Sequence, residues 1–164
     1  MCHVLDLLED LFEDLTINPT QTEINQLFEI FKKDLIENPL LLSDVRIKYD
    51  KKTSKHPQFK GLPVGFEHIC TRKSDHSQKR NFDPVRANKI GWIRPIIENY
   101  QNNRIKYFEK LHFNGQNQKF FWHEEKDYVV IIRDINTKLI LITAFTVDKI
   151  NKKRYKNDYY AYKK

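Results

Sequence analysis

From residue 104 onward the apolar residues of this chain recur at every second position, and that change of period constrains the fold most. RIKYFE (104–109), QKFFWH (118–123), DYVVIIRD (127–134) and LILITAFTVD (139–148) read as four strands. DINTK (134–138) is short enough to close the last two into a hairpin. In 139–147 both alternating sets are apolar: Leu139, Leu141, Phe145 and Val147 on one side, Ile140, Ile142 and Ala144 on the other. A strand greasy on both faces belongs near the centre of a sheet. Strict alternation places Thr143 with Leu139, Leu141 and Phe145.

Before residue 104 the period is helical. Val4, Leu8, Leu11 and Leu15 predict an amphipathic helix with Asp6, Glu9, Asp10, Glu13 and Asp14 outside. Thr20 and Glu23 form a capping-box signature for a second helix, whose stripe is Ile24, Leu27, Phe28, Phe31 and Leu35, ending before Pro39. VRIKYD (45–50) alternates like a short strand, and a loop punctuated by Pro57, Gly61, Pro63 and Gly65 follows. Asp83 before Pro84 starts a helix with Ala87, Ile90, Ile93 and Ile97 inward, and Pro95 predicts a kink or an early stop. The tail NKKRYKNDYYAYKK reads as an edge strand or an extended basic arm. Helices first and a strand meander afterwards give α+β: N-terminal helices, then a helix packed on a four- to five-stranded antiparallel sheet.

Charge divides the chain where the periods do not. Residues 1–50 hold 4 Lys/Arg and 11 Asp/Glu, or −7; residues 51–164 hold 25 and 11, or +14. The division expected is an acidic helical segment, 1–44, and a basic α+β domain, 45–164. The basic part attracts a polyanion, of which nucleic acid is the commonest. The acidic helices could shield that face, form a homodimer, or dock a partner. No apolar run reaches the ~20 residues of a membrane span, and the N-terminus lacks the basic start of a signal peptide. Cys2 and Cys70 make no disulfide framework, so a cytoplasmic setting is expected.

One short stretch, GFEHICTRKSDH (65–76), concentrates the chemistry. His68, His76 and Asp75 are spaced for no recognisable metal motif; there is no HExxH, no GxSxG elbow, and no P-loop among four glycines. Acid–base chemistry on a phosphodiester remains. RNA brings its own nucleophile, the 2′-hydroxyl, so an enzyme needs a base near neutrality, an acid for the 5′-oxygen, and cations for the phosphorane. Histidine fills the first two roles and arginine the third. Were 66–73 helical, His68 and Arg72 would share a face at i, i+4.

The order GFEHI-x-x-R … FDPVRANKIGWIRPIIEN … IKYFE … YVVIIRD … LILITAFTVD resembles the phage-associated nucleases of the barnase–EndoU–colicin–RelE superfamily over about residues 62–160. The resemblance implies a metal-independent endoribonuclease without cofactor, of toxin or defence type, with an acidic inhibitor or antitoxin as a candidate partner. By position, His68 resembles the catalytic histidine and Thr143 the strand hydroxyl, with Arg72 and Tyr155 nearest the family's remaining site residues. The chain departs from the pattern in placing Arg72-Lys73 where relatives carry a second histidine, and in reaching His76 only later. The site expected is His68 as base, His76 as acid, Arg72 and Thr143 on the phosphate, with Lys73, Arg86, Trp92, Lys106 and Tyr155 holding substrate. The rival expectation is a non-catalytic RNA-binding protein on the same scaffold.

Overall fold

The four C-terminal strands form as the alternation requires. In a computed structural model describing residues 3–164, β5 (Ile105–Leu111), β6 (Asn117–His123), β7 (Tyr128–Ile135) and β8 (Lys138–Thr146) make an antiparallel meander. Met1 and Cys2 lie outside the described residues, and with them the reading of Cys2. The β7–β8 hairpin turns at Asn136 and Thr137, both at positive φ, the geometry that a two-residue hairpin demands. The sheet then extends beyond the meander. β1 (Leu41–Leu42) and β2 (Val45–Lys48) add through β2, which runs parallel to β8 at Ile47–Leu139 and Lys48–Ile140. The result is a curled, mixed six-stranded sheet, ordered β1-β2-β8-β7-β6-β5. This corrects the antiparallel four- to five-stranded expectation: parallel pairing joins segments ninety residues apart and leaves no local mark.

Strict alternation fails once, within β8. Ile131 pairs with Thr143 but Ile132 pairs with Leu141, so Ile142 is an extra residue in the ladder. One extra residue inverts every later side chain. Thr143 and Phe145 therefore share a face with Ile131 and Val129, opposite Leu139 and Leu141.

Helices cover both faces. On one lie α1 (Gln21–Lys32), α2 (Val64–Cys70), α3 (Pro84–Asn88) and α4 (Ile93–Glu98), around a core that includes Phe31, Phe66, Ile96, Phe121 and Leu141. The capping box of α1 forms as read, with Thr20 Oγ1 accepting from Glu23 N (3.1 Å) and Glu23 Oε1 from Thr20 N (2.9 Å). Leu5, Ile24, Leu27 and Leu35 belong to the same core as Ile97 and Val130. The boundary at 44/45 thus separates charge and not cores. On the other face α5 (Lys149–Lys163) packs Tyr155 and Tyr159 against Phe108, Phe120 and Trp122. The tail is a helix, neither strand nor arm: Asp148 caps it by accepting from Asn151 N, and its tyrosines give it an apolar side.

Residues 4–15 do not form the expected helix. After a short 3-10 turn, Val4–Leu7, the segment runs as a strap whose backbone bonds go elsewhere. Leu11 N donates to Asn88 O (3.0 Å), Phe12 N to Asn88 Oδ1 (2.7 Å), Asn88 Nδ2 to Phe12 O (2.9 Å), and Trp92 Nε1 to Glu9 O (3.0 Å). Five carboxylates crowded at helical spacing repel one another, whereas in the strap Asp6 reaches Arg104 and Asp10 reaches Lys89, each at 2.7 Å. The same contacts break the helix expected from Pro84 through Ile97. Leu11 and Tyr128 OH take up the carbonyls of Asn88 and Lys89, and a 3-10 turn, Ile90–Trp92, separates α3 from α4. Pro95 falls in the first turn of α4, where its missing N–H is no loss.

Candidate active site

Helix α2 is short because its C-terminal carbonyls are claimed from outside. Thr71 Oγ1 donates to Glu67 O (2.8 Å), Asp83 N donates to Cys70 O (2.9 Å), and both Arg80 Nη2 (3.0 Å) and Arg86 Nη1 (2.8 Å) donate to Thr71 O. The chain turns extended at Thr71 and enters β3 (Thr71–Lys73), which pairs with β4 (Arg80–Phe82). Arg72 is therefore on a ribbon and does not share a helical face with His68.

His68 stands on α2, half-exposed, with Nε2 3.8 Å from Glu67 Oε2. Burial pushes its pKa down, the positive Arg80 pushes the same way, and Glu67 and Asp50 pull against them. The imidazole is neutral near neutrality, as a base requires. Glu67 is buried; its Oε1 accepts from Ser54 Oγ (2.7 Å), and its Oε2 lies 3.6 Å from Arg80 Nε, which also donates to Thr71 Oγ1 (2.8 Å). A continuous polar chain thus runs His68–Glu67–Arg80–Thr71–Arg86. The sequence reading missed Glu67, Arg80, Ser54 and Thr71. Glu67 carried a signal, a carboxylate between Phe66 and Ile69–Cys70 on a helix; Arg80 carried none, since only the β3–β4 pairing delivers it.

Arg86 borders a cleft of about 450 Å³ that Arg72, Asp83, Val85, Phe145, Thr146, Asp148 and Asn151 also line, so two carboxylates face the two guanidinium groups there, and His68 is not among its lining residues. Its guanidinium lies 5.3 Å from the Phe145 ring, and its Nε is buried without a partner. Burial lowers its pKa, the pull of Asp83 opposes this, and Arg80 and Arg72 add to the lowering. Arg72 borders a second cleft, of about 440 Å³, with Lys73, His76, Asn81 and Ile17. His76 rides the exposed loop at the ribbon's tip, its backbone N donating to Ser74 Oγ (3.4 Å). No hydrogen bond or ion pair among the described residues joins His76 to His68.

The remaining expected residues lie elsewhere. The Thr143 hydroxyl is buried, unpartnered and on the α5 side of the sheet, away from α2, because of the extra residue Ile142. Tyr155 is 5% exposed within the α5 core, its phenol pushed up to about 12 by burial. Trp92 is 6% exposed, edge-on to Tyr128 and bonded to the strap, so its ring cannot receive a base. Lys106 is on the α5 face, 3.7 Å from Glu124 and 5.2 Å from the Tyr159 ring. Cys70 is fully buried and its thiol is held well up by desolvation, which removes it as a nucleophile. Among the described residues no helix is long and apolar enough to cross a membrane.

No family model, curated protein or solved structure matches this chain.

Proposed function

We propose that the chain is a metal-independent endoribonuclease of the type the resemblance implies, cutting RNA by attack of the 2′-hydroxyl on the adjacent phosphate. The observation that carries this is His68, an accessible imidazole held neutral by burial and linked through Glu67, Arg80 and Thr71 to a guanidinium, Arg86, with an unpartnered Nε. His68 accepts the 2′-proton. Arg86 and Arg72 meet the phosphate in the cleft they share, where the charge of the phosphorane grows. Glu67 and Arg80 position: the carboxylate stabilises the imidazolium once formed, and Arg80 holds the carboxylate in place. His76 supplies the proton to the leaving 5′-oxygen, with Arg72 between the two clefts.

A second reading, RNA binding without cleavage, is favoured by one fact. His68 is not among the residues that line the Arg72–Arg86 cleft or the His76 cleft, so neither cleft sets a phosphate beside the base. Incubating purified protein and its His68→Ala variant with total RNA in EDTA decides between them. Cleavage by the wild type alone, with 2′,3′-cyclic phosphate ends, supports the nuclease. Activity lost in EDTA and restored by a divalent ion sinks the mechanism. Salt-sensitive binding with no cleavage supports the second reading.

A further inference from the structure

Helix α5 carries six Lys/Arg and one carboxylate, Asp158. Its two faces use that charge differently. On the packed side Lys152 pairs with Asp127 (3.1 Å) and Asp158 with Lys110 (3.1 Å), while Tyr155 and Tyr159 enter the core. On the outward side Lys149, Lys153, Lys156, Tyr160 and Lys163 follow at i, i+4, i+7, i+11 and i+14, all exposed, and they form one stripe. None of these four lysines is in an ion pair among the described residues. Fifteen residues make a track about 22 Å long. The first turn of α5 borders the cleft through Asn151 and the capping residue Asp148, which lies next to Lys149 at the start of the stripe; the stripe residues themselves do not line the cleft. The far end of α5 lies against β5, through Tyr162 on Tyr107 and Asp158 on Lys110.

We propose that this stripe is a track for single-stranded RNA, continuing from the Arg72–Arg86 cleft along the outside of α5; this rests on the reading of that cleft as an RNA site. The chemistry selects the occupant. A row of unpaired lysines one residue wide, with a tyrosine set into it, offers phosphate contacts and a stacking surface together. Duplex RNA presents a deep, narrow major groove that side chains do not enter. A membrane-surface helix needs a free apolar face, and that of α5 is spent on Phe108, Phe120 and Trp122.

The test uses the full chain carrying His68→Ala, so that bound RNA persists, and a fluorescein-labelled single-stranded RNA read by anisotropy from about 50 to about 200 mM KCl. Adding Lys149→Gln, Lys153→Gln and Lys156→Gln together should weaken binding and flatten the slope of log K against log salt by about 2, at ~0.7 per phosphate contact. Tyr160→Ala should weaken binding about tenfold with the slope kept, since stacking is not ionic. An unchanged slope in the triple variant overturns the track, as does equal or tighter binding of the same RNA as a duplex, or binding of phosphatidylserine vesicles in preference to RNA. Cleavage is scored separately with His68 intact. If that protein cuts no RNA while the slope still falls, the nuclease reading fails and the track stands. If it cuts and the slope does not move, the reverse holds.

Discussion

Replacing Glu67 by Gln tests the polar chain at its centre. The substitution keeps the shape and leaves an amide oxygen for Ser54 Oγ, but removes the charge that faces Arg80 at 3.6 Å and His68 at 3.8 Å. Removing one partner of a buried ion pair costs about 3–5 kcal/mol. Arg80 is partly exposed and keeps two bonds to Thr71, so the loss belongs below that range, at about 2 kcal/mol. At ~2–4 °C per kcal/mol for a chain of this size, the melting temperature should fall by roughly 4–8 °C. Arg80→Gln alone should also destabilise, because it leaves Glu67 buried and uncompensated. The double variant removes both charges and should be less harmful than the two losses added, by about 1–2 kcal/mol. Urea unfolding followed by the fluorescence of the buried Trp92 and Trp122 measures all four proteins. Additivity within about 0.5 kcal/mol would refute the pairing. Activity supplies a second readout. Glu67 pulls the His68 pKa up, so in Glu67→Gln the acidic limb of the cleavage profile should move to lower pH. A limb that stays put would mean that His68 is not the base, or that Glu67 does not act on it.

Three further outcomes are expected. His68 and His123 are both held below the ordinary histidine value by burial, and His123 Nε2 is buried without a partner. The unfolded chain therefore binds protons first; stability should be full above about pH 6.5 and fall as pH drops through the folded values, and His123→Gln should reduce the loss seen in melts at stepped pH. Thr143→Val deletes a buried, unbonded hydroxyl while keeping the β-branched shape, and should raise stability by about 1 kcal/mol without altering cleavage; a large drop in rate would restore Thr143 to the site. Gly65→Ala should destabilise despite alanine's better helix propensity, because the new Cβ would meet Asp50 N at 3.0 Å and Tyr49 Cβ at 3.1 Å. Overpacking of that kind costs about 1–3 kcal/mol. Moving α2 off the end of β2 would displace His68, so cleavage and urea midpoint should fall together.

The sequence by itself determined what depends on neighbours a few residues apart. The meander shows in its period, the start of α1 in Thr20 and Glu23, the start of α3 in Asp83 and Pro84, and the β7–β8 turn in a short polar link. His68 could be singled out for its residue type and for its apolar flanks. Tertiary structure decided everything that rests on a distant bond. Residues 4–15 have a helical pattern, yet Asn88 and Trp92, some eighty positions away, take their hydrogen bonds and draw them into a strap. Arg72 left the helix because Arg80 and Arg86 claim the carbonyl of Thr71. Thr143 changed face because the ladder with β7 holds one residue more than alternation allows. The tail became a helix because Trp122 and its aromatic neighbours gave Tyr155 and Tyr159 a surface to cover. A backbone donor or acceptor must be satisfied somewhere, and periodicity says only that the local partner is available, not that a distant one binds it less well.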